Sequence, residues 1–362
     1  MKQESTLLKC LVLLFAMGGF SGCDRISEKV ADALTGASRF AGMDGNSMYH
    51  QSEAVRLAAG ELIVEGEVKS PGKVSLRRQF RREVMVKEQV ADQAGNVEFI
   101  GAYRYRGYSL FDLLHPFEYK KKNAEEFPPG TDLYIVIEND RGESVVFSWA
   151  EIFHVTTSHQ VIVATEMAPV EPYKQEVSYP MGDTWRIVAA GDLFAFRTLD
   201  NPTRITVRSF DEKDYVINRD LEPMYSDSVS VLLDGDSLTT IVPGSEIADQ
   251  RSYSTAFYGM GMGYREKPAF EGPVLGDLLQ ESVNLHDPSL NRHGLVAFVG
   301  LDGYRVILSF SELFNRFDQV APILPVHNDP DDGGYYRFLY PPAFYADYTV
   351  KSLAEMYLFE TD

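Results

Sequence analysis

The sequence predicts an α+β fold of two tandem, mixed, β-rich domains, and three observations carry that expectation. Four short phrases occur twice in unchanged order, alternating apolar runs outnumber helical periods, and each set of phrases contains two short helix starts. The chain has 362 residues, 44% of them hydrophobic, with 22 Phe and 20 Tyr, which is enough apolar surface for more than one packed core.

The chain begins "MKQESTLLKCLVLLFAMGGFSGC", with Lys2 and Lys9 ahead of an apolar stretch too short to span a bilayer comfortably. Residues 1–22 thus read as an export signal. The stretch Phe20-Ser21-Gly22-Cys23 resembles a bacterial lipoprotein lipobox, with Phe20 where Leu is more usual. That resemblance implies cleavage before Cys23 and lipidation of its thiol, so that more than one acyl chain anchors the protein to a membrane. Asp24 next to it implies, by the same resemblance, the periplasmic face of the inner membrane. Residues 23–56 read as a tether with an amphipathic helix over about 26–40 and then a Gly/Asn/Ser-rich patch.

From Glu61 the texture alternates: "ELIVEGEVKSPGKVSL" predicts a strand, a Ser-Pro-Gly turn and a second strand, and "SVSVLLDGDSLTTIV" at 228–242 repeats that shape. "YRGYSLFDLL" at 105–114 returns as "FEGPVLGDLL" at 270–279. "RGESVVFSWAEIF" at 141–153 returns as "DGYRVILSFSELF" at 302–314, and "WRIV" at 185–188 as "YRFL" at 336–339. The offsets fall from 169 through 165 and 161 to 151, as expected of a duplicated domain whose second copy has lost loop residues. The copies are placed at 57–210 and 225–362, with "DEKDYVINRDLEPM" (211–224) as linker or exchanged strand. Ser148-x-x-Glu151 and Ser309-x-x-Glu312 read as capping boxes, each glutamate reaching back to its serine amide. Ser109-x-x-Asp112 is a looser version, and Asp277 suits a first helical turn.

Each copy resembles the molybdopterin-binding domain of the sulfite oxidase family. The first copy offers "YRYRGYSLFDLL" and "WRIVAAG". The second offers "FEGPVLGDLL", "DGYRVILSFSELF", "YRFLYPP" and "YTVKSLAEMYL", with Asp302-Gly303-Tyr304 and Thr349-Val350-Lys351-Ser352-Leu353 the most specific parts. The resemblance implies the sulfite-oxidase fold for both copies and a cofactor loop at about 87–95 ("KEQVADQAG") and 254–263 ("STAFYGMGMG"). The family binds molybdenum through a cysteine in that loop, and neither stretch contains one; the two cysteines are Cys10 and Cys23. A soft thiolate has no equivalent substitute in Gln or Tyr.

The expectation is therefore a degenerate pair of such domains without resident cofactor, a binding or scaffold component of a membrane redox assembly with a protein partner there. Its candidate ligand loop is Tyr258, Gly259, Met260, Gly261, Met262 and Gly263, and no catalytic residue is assigned. The alternatives are an oxidoreductase holding molybdopterin with non-cysteine ligation, and a periplasmic metal-binding protein. In the latter, Met260 and Met262 would hold Cu(I), or His327, Asp329, Asp331 and Asp332 would hold Ca²⁺. The formal charge of −19, from 34 basic and 53 acidic residues, argues against a nucleic-acid partner. No His-Glu-x-x-His or Gly-x-Ser-x-Gly pattern occurs.

Overall fold

Ahead of the first copy, within the stretch expected as a tether, lie β1 (His50–Gln51) and β2 (Val55–Arg56), both paired with β9; the first copy supplies β3 (Ile63–Gly66), β4 (Gly72–Lys73), β5 (Arg82–Ala91), β6 (Val97–Ser109), β7 (Leu133–Asn139), β8 (Ser144–Ser148), β9 (Val161–Glu171), β10 (Arg186–Ala189), β11 (Leu199–Asp200) and β12 (Pro202–Ser209). The second copy supplies β13 (Val229–Leu233), β14 (Asp236–Ile241), β15 (Gln250–Tyr253), β16 (Ala256–Gly259), β17 (Gly263–Glu266), β18 (Phe270–Pro273), β19 (Gly294–Gly300), β20 (Arg305–Ser309) and β21 (Leu353–Glu360). The short helices are α1 (Leu110–Leu114), α2 (Trp149–Phe153), α3 (Leu275–Leu279), α4 (Pro288–His293) and α5 (Phe310–Phe314). This computed structural model describes residues 50–172, 175–242, 244, 248–266, 269–327, 329 and 334–361. The expected signal segment, Cys23 and the tether helix lie outside the described residues.

The β-rich α+β expectation holds, and the two copies share a topology. The first builds a five-stranded sheet in the order β4-β3-β12-β7-β8, the second one in the order β14-β13-β21-β19-β20. In both, one pair is parallel, β3 with β12 and β13 with β21, and every other pair is antiparallel. The first copy adds a second sheet, β11-β10-β9-β6-β5, with β2 on β9. In the second copy this sheet thins to single bridges at matching residues. Ser109–Ile162, Ile162–Val188 and Ile187–Leu199 become Val274–Ile323, Ile323–Leu339 and Phe338–Val350. The segment 211–224 forms no strand, so of the two readings it is the linker.

The glycine shared by the repeated phrases has a packing cause. A Cβ on Gly107 would lie 2.0 Å from the Val163 carbonyl oxygen, and one on Gly272 would lie 2.5 Å from that of Leu324, the residue equivalent to Val163. The backbone crosses a neighbouring strand so closely there that no side chain fits.

Both copies belong to one compact unit, Glu53–Pro169 with Tyr179–Asp362. A second unit takes in Met1–Ser52 and Val170–Ser178, and in its described part β1 pairs with the end of β9. Each copy has its own core, and a third apolar cluster joins the two five-stranded sheets. Tyr134, Val136, Val146 and Phe210 meet Ile307, Tyr357 and Phe359 there, and each such buried side chain is worth about 1.5–3 kcal/mol against exposure.

At the seam the contacts are reciprocal. The Leu193 amide donates to the Asn315 carbonyl at 2.8 Å and the Phe344 amide to that of His154 at 2.8 Å; 193 and 344 are equivalent positions, as are 154 and 315. Phe317 to Gly191 and Thr156 to Pro342 form a second such pair. Contacts of the type i·j and j·i define an approximate twofold axis between the copies.

Candidate functional site

The candidate loop is the turn of a β-hairpin. Tyr258 pairs with Tyr264 and Gly259 with Gly263 across β16 and β17, and Gly263 takes the left-handed φ of +68° that closes the turn. The Met260 amide donates to Asp347 Oδ2 at 2.8 Å, tying the tip to the 346–348 turn. Met260 and Met262 are 53% and 70% exposed. Their sulfurs are thus presented to solvent, without further soft donors from the sequence around them.

Beneath the hairpin lies a cleft of ≈ 410 Å³, lined by Met262, Gly259, Gly263 and four cations, Arg219, Arg265, Arg337 and Lys351. Two carboxylates, Asp302 and Asp347, line it as well. The linker delivers Arg219, which ion-pairs with Asp302 and lies over the Tyr304 ring at 4.7 Å. Tyr304 Oη donates to the Asp347 carbonyl at 2.7 Å, and burial pushes its pKa up. Gly303, at φ +78°, lets the linker pass: a Cβ there would sit 2.4 Å from the Val216 carbonyl. Ser352 Oγ accepts the Ser226 amide at 2.8 Å and so fixes the bend before β21 that carries Lys351. The two motifs most specific to the sequence resemblance therefore both border this cleft.

The matching place in the first copy is built differently. Arg186, equivalent to Arg337, donates to Asp200 at 2.7 Å and to Tyr105 Oη at 3.2 Å, and Asp200 stands where the second copy has Lys351. Tyr105 Oη in turn donates to buried Glu88 at 2.7 Å, whose pKa desolvation raises. The stretch at 87–95 is the end of β5 and the turn after it, with Lys87 over the Phe317 ring at 4.9 Å.

A second cluster sits at the seam. Ser148 and Ser309 do cap α2 and α5, accepting the Glu151 amide at 3.0 Å and the Glu312 amide at 3.1 Å. The glutamates, however, do not reach back to their own serine amides as a capping box requires. Ser148 Oγ donates to Glu312 at 2.8 Å and Ser309 Oγ to Glu151 at 2.9 Å, so each hydroxyl serves the carboxyl of the opposite copy. Glu151 and Glu312 lie close enough that each shifts the titration of the other, Glu312 upward. Arg197, 1% exposed, grips Glu151 at 2.6 and 2.9 Å and Asp192 at 2.5 and 2.8 Å. The pair lines a cleft of ≈ 290 Å³ on the approximate axis.

Of the expected calcium turn, Asp331 and Asp332 lie outside the described residues. Among the described residues no three His, Cys, Asp or Glu side chains converge as metal ligands, and no helix is long and apolar enough to cross a membrane. Sequence reading singled out the loop at 258–263 but neither the hairpin it closes nor the cations beneath it, which come from positions as far apart as 219 and 351. Arg197 carried no signal at all in "FAFRTLD". Comparison with family models, with curated proteins and with solved structures finds no match to the chain.

Proposed function

We propose that this protein is a lipid-anchored, extracytoplasmic binding component with two sulfite-oxidase-like copies, non-catalytic, and serving a membrane redox assembly. Its ligand site is the cleft under the 256–266 hairpin, and the ligand is a small anion bearing a phosphate, sulfonate or carboxylate group. The observation that carries this is a charge inversion. Among the described residues, four cations and two carboxylates line this cleft of a chain whose net charge is −19. Such a cleft focuses anions into a surface that otherwise repels them, and its volume lies in the usual range for small-ligand sites.

The equivalent position of the first copy supports a single site per chain, since an acidic residue, Asp200, stands there in place of Lys351. The absence of cysteine from 57–362 supports the non-catalytic reading, because the family's chemistry runs through a metal-bound thiolate.

Titration with inorganic phosphate, sulfate and pyrophosphate, read by thermal unfolding, tests the site. At 100 times its Kd an anion stabilises the folded form by about 2.7 kcal/mol. The gain is expected to vanish in the double variant Arg265→Glu, Lys351→Glu; no gain in the wild type, or an equal gain in the variant, overturns the assignment. Stoichiometric molybdenum in protein purified from its native host overturns the non-catalytic reading. Cys23→Ser is expected to move the protein from the membrane to the soluble fraction, as seen by fractionation.

A further inference from the structure

The seam between the copies holds more acid than a structural joint needs. Glu151 from α2 and Glu312 from α5 face each other over the axis cleft, and Glu312 is 3% exposed. The groups packed around them are Asp192 and Arg197 from the 192–197 segment, Arg316 and Asp318 beyond α5, Tyr340, Tyr348 and His154. Arg316 is already held by Asp318 at 2.5 and 2.8 Å and by Tyr340 Oη at 3.1 Å. Burial pushes Tyr340 and Tyr348 well up and His154 down to about 4, so all three are neutral at ordinary pH. That leaves four carboxyl groups, Glu151, Asp192, Glu312 and Asp318, against two guanidinium groups. A fully ionised cluster is unbalanced, and like charges that share one buried site cannot both ionise cheaply.

We propose that the seam is a proton-gated latch: one proton shared between Glu151 and Glu312 holds the two copies closed, and its loss to water in the axis cleft loosens the reciprocal backbone contacts on either side. Glu312 keeps the proton. Burial and the neighbouring Glu151 carboxylate raise its pKa well above the ordinary 4.5, while Arg197 holds Glu151 low and charged. The closed seam thus binds a proton that the opened one releases, so stability present below 4.5 is lost as pH rises towards the raised value of Glu312. Asp192, which burial lifts to about 6, has the same sign but is half titrated there and finishes about one pH unit higher. Above that pH the slope belongs to Glu312.

Hydrogen exchange at the Leu193, Phe344, Phe317 and Thr156 amides, corrected for the intrinsic rate, reads the latch directly because each donates across the seam. Above about pH 7 the opening equilibrium of the wild type is expected to rise about tenfold per pH unit until Glu312 has titrated. In Glu312→Gln, which keeps a donor towards Glu151 and cannot lose it, the same amides are expected to show no such slope. Equal slopes in the two proteins overturn the proposal. Should the variant fail to fold, infrared spectroscopy of the wild type decides: a protonated-carboxyl band at neutral pH that fades at high pH in step with the exchange supports the latch, and its absence at neutral pH overturns it.

Discussion

Arg197→Met is expected to destabilise the protein by about 3–5 kcal/mol at neutral pH, the usual effect of removing one partner from a buried ion cluster. The guanidinium directs its donors to Asp192, Glu151, Ser309 Oγ at 3.1 Å and the Val146 carbonyl at 3.3 Å, and stacks over Phe147 at 4.4 Å. Met fills the volume but leaves the Glu151 and Asp192 carboxylates buried without the cation that hydrogen-bonds both, since Arg316 is engaged by Asp318 and Tyr340. They escape by taking up protons, so the deficit has a pH signature. Both pKa values rise in the variant, and its stability is recovered as pH falls and lost as pH rises. Chemical denaturation from pH 5 to 8 should show the gap to wild type widening upward; a constant gap would mean that lost packing, and not charge, dominates.

Gly107→Ala and Gly272→Ala are expected to cost about 1–3 kcal/mol each, with Gly107 the worse. The added methyl at 107 would meet Val163 O at 2.0 Å and Ala164 Cα at 2.6 Å; at 272 it would meet Leu324 O at 2.5 Å and Pro325 Cα at 2.7 Å. These are backbone atoms of paired or bridged segments, so relief requires moving a strand and not merely a side chain. Gly72→Ala is the control, since nothing lies within 4 Å of a Cβ there. Unfolding midpoints should fall for the first two and hold for the third. An unchanged midpoint at Gly107 would remove close strand crossing as the reason for the repeated glycine.

How much of this was legible in the sequence depends on how far apart the cooperating residues lie. The repeated phrases fell on equivalent elements because short-range patterns, a strand hairpin or a serine three residues before a carboxylate, are set by neighbours in the chain. Ser148 and Ser309 were readable as helix starts for that reason. The destination of their hydroxyl protons was not, since Glu312 lies 164 positions from Ser148 and no local rule links them. The loop at 258–263 was located by its place before a repeated phrase, whereas Arg219, Arg337 and Lys351 converge only once the second copy has folded. Thinning of one sheet in that copy was visible only as falling offsets.

The reciprocal seam contacts are those that two identical chains make in a homodimer. Joining such partners through 211–224 released them from identity. In a true dimer every position on the axis meets its own twin, so two glutamates there would be chemically indistinguishable. Covalent fusion let one side acquire Arg197 and Asp192 where the other has Tyr348 and Ala343, and let Lys351 replace an aspartate. Unequal chemistry at equivalent positions of the two halves is what that broken symmetry made available.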